Sequence, residues 1–171
     1  MSNVYKVIIT GPFNSGKTTF IRTISDIDVV TTEKRVTTED RGIKSETTVA
    51  MDYGRVAVND TVLHLTGTPG QTRFSFMWEI LAHEMDAFIV LMDSTDRLSF
   101  PDANDLIRHF KSLHDVPYLI AAGKADLPGR ATLEEVRQGS GIADSVTVMP
   151  CVSTQKSSVR QVLLQVIGLL Q

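Results

Sequence analysis

Eight residues near the amino terminus have the types and the spacing needed to bind phosphate. The segment reads Gly11-Pro12-Phe13-Asn14-Ser15-Gly16-Lys17-Thr18 and fits the pattern G-x-x-x-x-G-K-T. Backbone N–H groups of such a loop turn towards an anion, and the positive end of a following helix adds to the attraction. Lys17 can reach the outer phosphates, and Thr18 can give its hydroxyl to Mg²⁺. The pattern therefore predicts a nucleoside triphosphate site.

The segments on either side of this loop are those that the site requires. Val4 to Thr10 is a largely apolar run that predicts a buried strand, and a helix is predicted from Lys17 because Phe20, Ile21 and Ile24 form an apolar face. A glycine turn with a surface lysine is the alternative, and the matched flanks argue against it. We assign the nucleotide contacts here to Gly11, Phe13, Asn14, Ser15, Gly16, Lys17, Thr18 and Thr19.

Apolar patterns along the rest of the chain predict alternating strands and helices. Asn59-Asp60 is a two-residue hairpin signal, and Thr132 with Glu135 predicts a helix cap. The segment from Asp26 to Glu46 is polar with little periodicity and is predicted to be a long loop. We expect an α/β fold with a six-stranded mixed sheet, one antiparallel edge strand and helices on both faces. The later strands are predicted over 48–58, 61–65, 87–92, 118–122 and 146–152, and the later helices over 74–85, 103–113, from 132, and from a cap near Ser157 or Ser158.

Composition limits the classes of function. A chain of 171 residues with 42% hydrophobic residues is expected to form one domain over 1–171. Its net charge of -3, without a basic run, gives no support to nucleic-acid binding. A lone Cys151, no apolar run of roughly 20 residues and no prenylation cysteine at the end predict a cytoplasmic protein without a membrane anchor.

Four later segments decide between nucleotides: Thr48, Gly70-Gln71, Gly123-Lys124-Ala125-Asp126 and Cys151-Val152-Ser153. In order and spacing they resemble the Ras-like small GTPases, and Pro69-Gly70-Gln71 is similar to the prokaryotic branch that includes the gliding-motility GTPase MglA. The resemblance implies a P-loop G domain, GTP/GDP and Mg²⁺ as cofactors, and action as a molecular switch.

The resemblance also implies roles for the residues around the base. The Asp126 carboxylate would accept from the ring N–H and the amine of guanine, and adenine lacks those donors. The Lys124 stem would cover the base or the ribose, and Ser153 would offer a backbone N–H to the guanine carbonyl. The usual first residue of this motif is Asn, and Gly123 stands in its place.

The same resemblance implies a mechanism of slow hydrolysis. Thr48, with Thr47 as an alternative, would bind Mg²⁺ together with Thr18 and sense the γ-phosphate. The Gly70 N–H would meet that phosphate, and Gln71 would orient the attacking water while Lys17 neutralises charge. The 26–48 segment and the Gly67 to Met77 region would bind a protein partner, and the branch implies one of the Roadblock type.

Two departures from the family pattern weaken the predicted catalysis. The acidic residue that holds Mg²⁺ through water is Gly67 here, and Phe13 stands where a small residue is common. Arg35 or Arg41 could supply charge in cis. Two alternatives stay open: a P-loop ATPase or kinase with Asp93 as the metal-directing acid, and a pseudo-GTPase scaffold.

Overall fold

The computed structural model describes residues 2–40, 42–68 and 75–171, without the side chains of 32–40, 43–50 and 75–77. The strands within these residues are β1 Asn3–Thr10, β2 Val30–Asp40, β3 Ile43–Val58, β4 Thr61–Gly67, β5 Ala87–Asp93, β6 Tyr118–Gly123 and β7 Val148–Pro150. The helices are α1 Lys17–Ile24, α2 Ser75–Ala82, α3 Phe100–Leu113, α4 Leu133–Ser140 and α5 Lys156–Leu170, and a 3₁₀ turn at Arg97–Ser99 leads into α3.

The described strands form a seven-stranded mixed sheet in the order β2-β3-β4-β1-β5-β6-β7. β1 pairs in parallel with both β4 and β5, and β6 and β7 continue the parallel part. β2, β3 and β4 pair in antiparallel fashion. Strands therefore lie to both sides of β1, and the phosphate loop follows the carboxyl end of the strand where the order reverses. This is the place where open α/β sheets bind ligands.

The α/β class is confirmed, and the strand number is corrected from six to seven. The predicted loop from Asp26 to Glu46 contains all of β2 and the start of β3, which pair from Val30↔Tyr53 to Asp40↔Ile43. Sequence periodicity missed this hairpin because its Thr and charged residues do not alternate with apolar ones, and an edge strand requires no buried face. β2 is consequently the edge strand, and β3 lies one position further in.

Apolar side chains fill the space on both faces of the sheet. Phe20 and Ile21 of α1 pack with the apolar face of α5 on one side, and Phe110 of α3 packs with α2 and α4 on the other. β5 is buried from Ala87 to Met92 because helices cover both of its faces. These two cores fix the loops at the carboxyl ends of the strands.

Of the predicted hairpin turn and the two predicted helix caps, the turn and one cap are confirmed. Asn59, with φ of 53°, forms the predicted hairpin turn between β3 and β4. The Glu135 N–H donates to Thr132 Oγ1 over 3.1 Å, as predicted for the start of α4. The predicted cap near Ser157 or Ser158 is wrong, because α5 begins at Lys156 and the Ser158 hydroxyl instead accepts from the Val152 N–H.

Among the described helices, none has the length and apolar character that crossing a membrane would take.

Candidate nucleotide site

The phosphate loop has a backbone that its sequence requires. Asn14 and Gly16 have φ of 64° and 98°, and α1 begins directly after Gly16. A Cβ on Gly11 would lie 2.0 Å from the Leu91 carbonyl oxygen, so only glycine fits where the loop crosses β5. The N–H groups of the first turn of α1 therefore lie directly after the loop, where the positive end of a helix can bind an anion.

Lys17 lies folded over the loop. Its Nζ donates to the Gly11 and Pro12 carbonyl oxygens at 2.9 and 3.0 Å, and to Ser15 Oγ at 3.3 Å. Burial lowers the pKa of Lys17 to about 8. No carboxylate is hydrogen-bonded to its Nζ among the described residues, so the ammonium group is ready to pair with an incoming anion.

A cavity of about 510 Å³ opens in front of the loop. Gly67 and Thr68 at the end of β4 line it together with Asp52 of β3, whose carboxylate accepts from Thr18 Oγ1. Phe13 is 61% exposed on the wall of this cavity. The cavity is lined by all of the predicted phosphate-loop contacts except Gly11, namely Phe13, Asn14, Ser15, Gly16, Lys17, Thr18 and Thr19. Lys124 of the predicted base motif also lines it.

A second cavity of about 240 Å³ adjoins the first. Asp126 and Ser153, which the sequence assigns to the base, both line it with Lys124. The two cavities share four lining residues, Ser15, Gly16, Thr19 and Lys124. A ligand with a polyphosphate at one end and a flat base at the other therefore fits across both.

Backbone packing explains the glycine that replaces Asn in the base motif. A Cβ on Gly123 would lie 2.6 Å from the Met92 carbonyl oxygen, so a side chain here would collide with β5. The loop is held by other contacts: Ser94 Oγ donates to the Gly123 carbonyl oxygen at 2.5 Å, and the Ala125 N–H donates to the Cys151 carbonyl oxygen at 3.2 Å. These contacts tie the loop to β5 and to the segment after β7.

The Asp93 carboxylate is hydrogen-bonded to this base loop and to Thr95. Lys124 Nζ donates to Asp93 Oδ2 at 2.7 Å, and the Thr95 N–H and hydroxyl donate to Oδ1 at 2.9 and 2.6 Å. Burial alone would raise the pKa of Asp93, but these hydrogen bonds outweigh it and leave the pKa below its usual value. Lys124, with φ of 55°, is thereby fixed at the junction of the two cavities.

Comparison with known proteins identifies the family. A sequence profile of the ADP-ribosylation factor family matches residues 1–168. The chain belongs to this family of small GTPases.

Two proteins of known sequence and one of known structure show the range of similarity to this chain. An uncharacterized protein of Methanocaldococcus jannaschii is 32% identical over 122 residues, which are 71% of each chain. The mutual gliding-motility protein MglA of Myxococcus xanthus is 24% identical over 78% of this chain and 73% of its own. The structure of the Arl6 BBS3 small GTPase from Trypanosoma brucei with the nucleotide analogue GppNp has a TM-score of 0.75 at 20% identity and covers 98% of each chain. The Ras-like resemblance seen in the sequence is confirmed.

Sequence reasoning missed Asp52, although a signal for it was present. The hairpin turn pairs Val58↔Thr61 and continues to Tyr53↔Thr66, so counting one residue further sets Asp52 beside Gly67. The structure agrees, because a Cβ on Gly67 would lie 3.7 Å from Asp52 Cβ. Among the described residues, Asp52 is the only acid that lines the phosphate cavity. It therefore lies beside Gly67, the position that lacks the family's acid.

Only some of the residues predicted to act as switches lie within the described residues. Gly70 and Gln71 lie outside the described residues, as does Arg41, and the Arg35 side chain is also not described. Thr48 does not begin a strand as predicted but lies within the β2–β3 ladder opposite Arg35. It is four residues before Asp52, or about 13 Å along the strand. Its predicted metal contact would require β3 to shift.

Proposed function

We propose that this chain binds GTP and GDP and acts as a nucleotide-dependent molecular switch that hydrolyses GTP slowly. One observation carries the proposal: the phosphate cavity at Lys17 continues into the base cavity at Asp126. Membership of a family of small GTPases supports it.

Each end of the ligand is assigned to groups of the chain. The loop amides and Lys17 bind the phosphates, whose negative charge raises the pKa of Lys17 again. Asp126 accepts from the two guanine donors, so an adenine in its place leaves a desolvated carboxylate unpaired. Lys124 lines both cavities, and Ser153 lines the base cavity.

The residues present fit a magnesium ion. No group of three or more acidic, histidine or cysteine side chains is placed to hold a metal alone among the described residues. Mg²⁺ in nucleotide sites, however, takes its ligands from phosphates, water and one or two protein oxygens. The Thr18 hydroxyl is such an oxygen, with Thr48 a proposed second one in the triphosphate state. Bound there, the ion would neutralise charge on the β and γ oxygens.

Hydrolysis in this proposal depends on position and charge. Gln71 orients the water, the Gly70 N–H meets the γ-phosphate, and Lys17 stabilises the charge that develops on it. Phe13 adds a bulky ring at the cavity wall, which supports a slow rate because it restricts the space beside the γ-phosphate. A single-turnover rate at the uncatalysed value would instead indicate a pseudo-GTPase scaffold.

The switch itself is assigned to the 26–48 segment and the region from Gly67 to Met77. The outer side of β2 has no further strand beyond it in the described structure, so the β2–β3 hairpin presents unpaired backbone groups to which a partner can bind. We infer that a protein partner binds this region and regulates GTP hydrolysis or nucleotide exchange. The similarity to MglA supports a partner of the Roadblock type.

The geometry does not favour the ATPase or kinase alternative. That reading needs Asp93 free to direct a metal, but both of its oxygens are hydrogen-bonded to Lys124 and Thr95. Asp93 does not line the phosphate cavity within the described structure.

Titration calorimetry of nucleotide-free protein with GTP, GDP and ATP tests the proposal. We expect a guanine preference of roughly 10- to 150-fold that Asp126→Ala reduces to near parity, since the paired carboxylate is worth about 1.5–3 kcal/mol. Asp115 is an exposed acid in the loop between α3 and β6, and Asp115→Ala is the matched control that should bind like the wild type. Equal ATP binding that Asp126→Ala leaves unchanged would refute the guanine assignment.

A further inference from the structure

The phosphate cavity contains an acid that the family pattern does not predict. Gly67 lacks the carboxylate that the resemblance assigns to Mg²⁺, and Asp52 on the adjacent strand fills the space beside it. The phosphate loop and β4 make the rest of that wall without another acid among the described residues. The missing negative charge is thus replaced from the neighbouring strand.

Hydrogen bonds fix the position of the Asp52 carboxylate. Thr18 Oγ1 donates to Asp52 Oδ2, and Thr31 Oγ1 of β2 donates to Oδ1 at 3.0 Å. Thr31 is the residue that pairs directly with Asp52 in the β2–β3 register. The carboxylate is therefore in contact with the hydroxyl that the phosphate-loop motif assigns to the metal, and the edge strand orients it.

We propose that Asp52 supplies the carboxylate of the Mg²⁺ site in place of the acid missing at Gly67, with Thr31 as its positioning residue. The proposal rests on the proposed nucleotide site. Hydroxyl and carboxylate oxygens are the hard donors that Mg²⁺ prefers.

The packing around Gly67 makes the exchange of positions testable. A Cβ there would lie 3.1 Å from Ile21 Cδ1, the flexible end of a side chain, and the next two nearest atoms belong to Asp52, at 3.7 and 3.9 Å. The Gly67 backbone is not in the left-handed region, so a side chain fits the strand. Gly67→Asp can therefore restore a carboxylate at the family's usual position once that of Asp52 has been neutralised.

The experiment measures release of a fluorescent N-methylanthraniloyl GDP while Mg²⁺ is titrated from an EDTA-buffered start. We expect Mg²⁺ to slow release from the wild type and Asp52→Asn to raise the half-maximal Mg²⁺ concentration by 10- to 100-fold, the usual cost of losing a supporting group at a metal site. Asp52→Asn is isosteric and keeps an acceptor for Thr18, which protects the fold. Asp115→Asn is the control and should keep the wild-type midpoint.

The double variant Asp52→Asn with Gly67→Asp is expected to recover most of the lost Mg²⁺ response. The half-maximal Mg²⁺ concentration does not depend on the rate of GDP release without metal. If Asp52→Asn changes only that release rate, the role of Asp52 is structural and the proposal is overturned. An unshifted midpoint would also overturn it while leaving guanine binding intact. A wild type that does not bind the GDP probe at all would refute the proposed function, and this inference with it.

Discussion

Lys17 shows how a single residue can be prepared for an anion. Its Nζ contacts two backbone carbonyl oxygens and one hydroxyl, none of which is a full negative charge. Burial therefore lowers the pKa to about 8 without a compensating ion pair. Phosphates in the cavity supply the charge that is missing, so nucleotide binding and protonation of Lys17 are linked.

We expect GDP binding to take up most of one proton at pH 8.5. Lys17 is mainly neutral in the free protein above pH 8 and becomes charged beside the phosphates, so affinity falls as the pH rises through 8. Calorimetry in two buffers of different ionisation enthalpy measures the uptake. At pH 7 the lysine is already protonated, and uptake should be close to zero; absence of uptake at both pH values would show that Lys17 keeps its charge in the free protein.

At the level of elements, two glycines should respond in opposite ways to the same change. Gly123 ends β6, where an added Cβ would lie 2.6 Å from a β5 backbone oxygen, whereas Gly168 in α5 has open space around its Cβ position. One glycine is required by strand packing, and the other lowers the stability of its helix without a steric need.

We predict that Gly123→Ala lowers the free energy of unfolding by about 1–3 kcal/mol, since backbone must move to relieve the overlap. Gly168→Ala should raise it by about 0.5–1 kcal/mol through helix propensity. Urea unfolding of both variants, with an unchanged m value, measures the difference. Equal effects of the two substitutions would contradict the close approach at Gly123.

On the scale of the whole molecule, the ligand connects parts of the chain that are far apart in sequence. The base loop, the phosphate loop and β3 each contribute a wall, and two separate cores hold these elements on the two faces of the sheet. A nucleotide that contacts all of them binds the folded state and not the unfolded chain, so it stabilises the fold as a unit.

GDP with Mg²⁺ at 100 times its dissociation constant should stabilise the protein by about 2.7 kcal/mol. For a chain of this size that corresponds to a rise in Tm of roughly 5–10 °C. Differential scanning calorimetry checks the value, with ATP at the same concentration as the matched control. A rise of the same size with ATP would argue against the base cavity as a guanine site.

Much of the fold was predictable from the sequence because its signals are local. The run before Gly11 and the spacing to Thr18 identify the strand, turn and helix of the phosphate loop, and buried parallel strands such as β5 appear as continuous apolar runs. The β2 strand was not predictable in this way, because its stability comes from backbone pairing with β3 and not from an apolar pattern.

By itself, the sequence determined the class of fold, the phosphate loop and the order of the motifs, since each depends on residues that are close together in the chain. The tertiary structure alone decided that Asp52 lies beside Gly67 and contacts Thr18, because these groups meet only through strand pairing and the packing of α1 on the sheet. It also decided that Asp93 holds Lys124 and is not free for a metal. The charge and the free space at a site depend on every element that lines it, whereas a sequence motif describes only one of those elements.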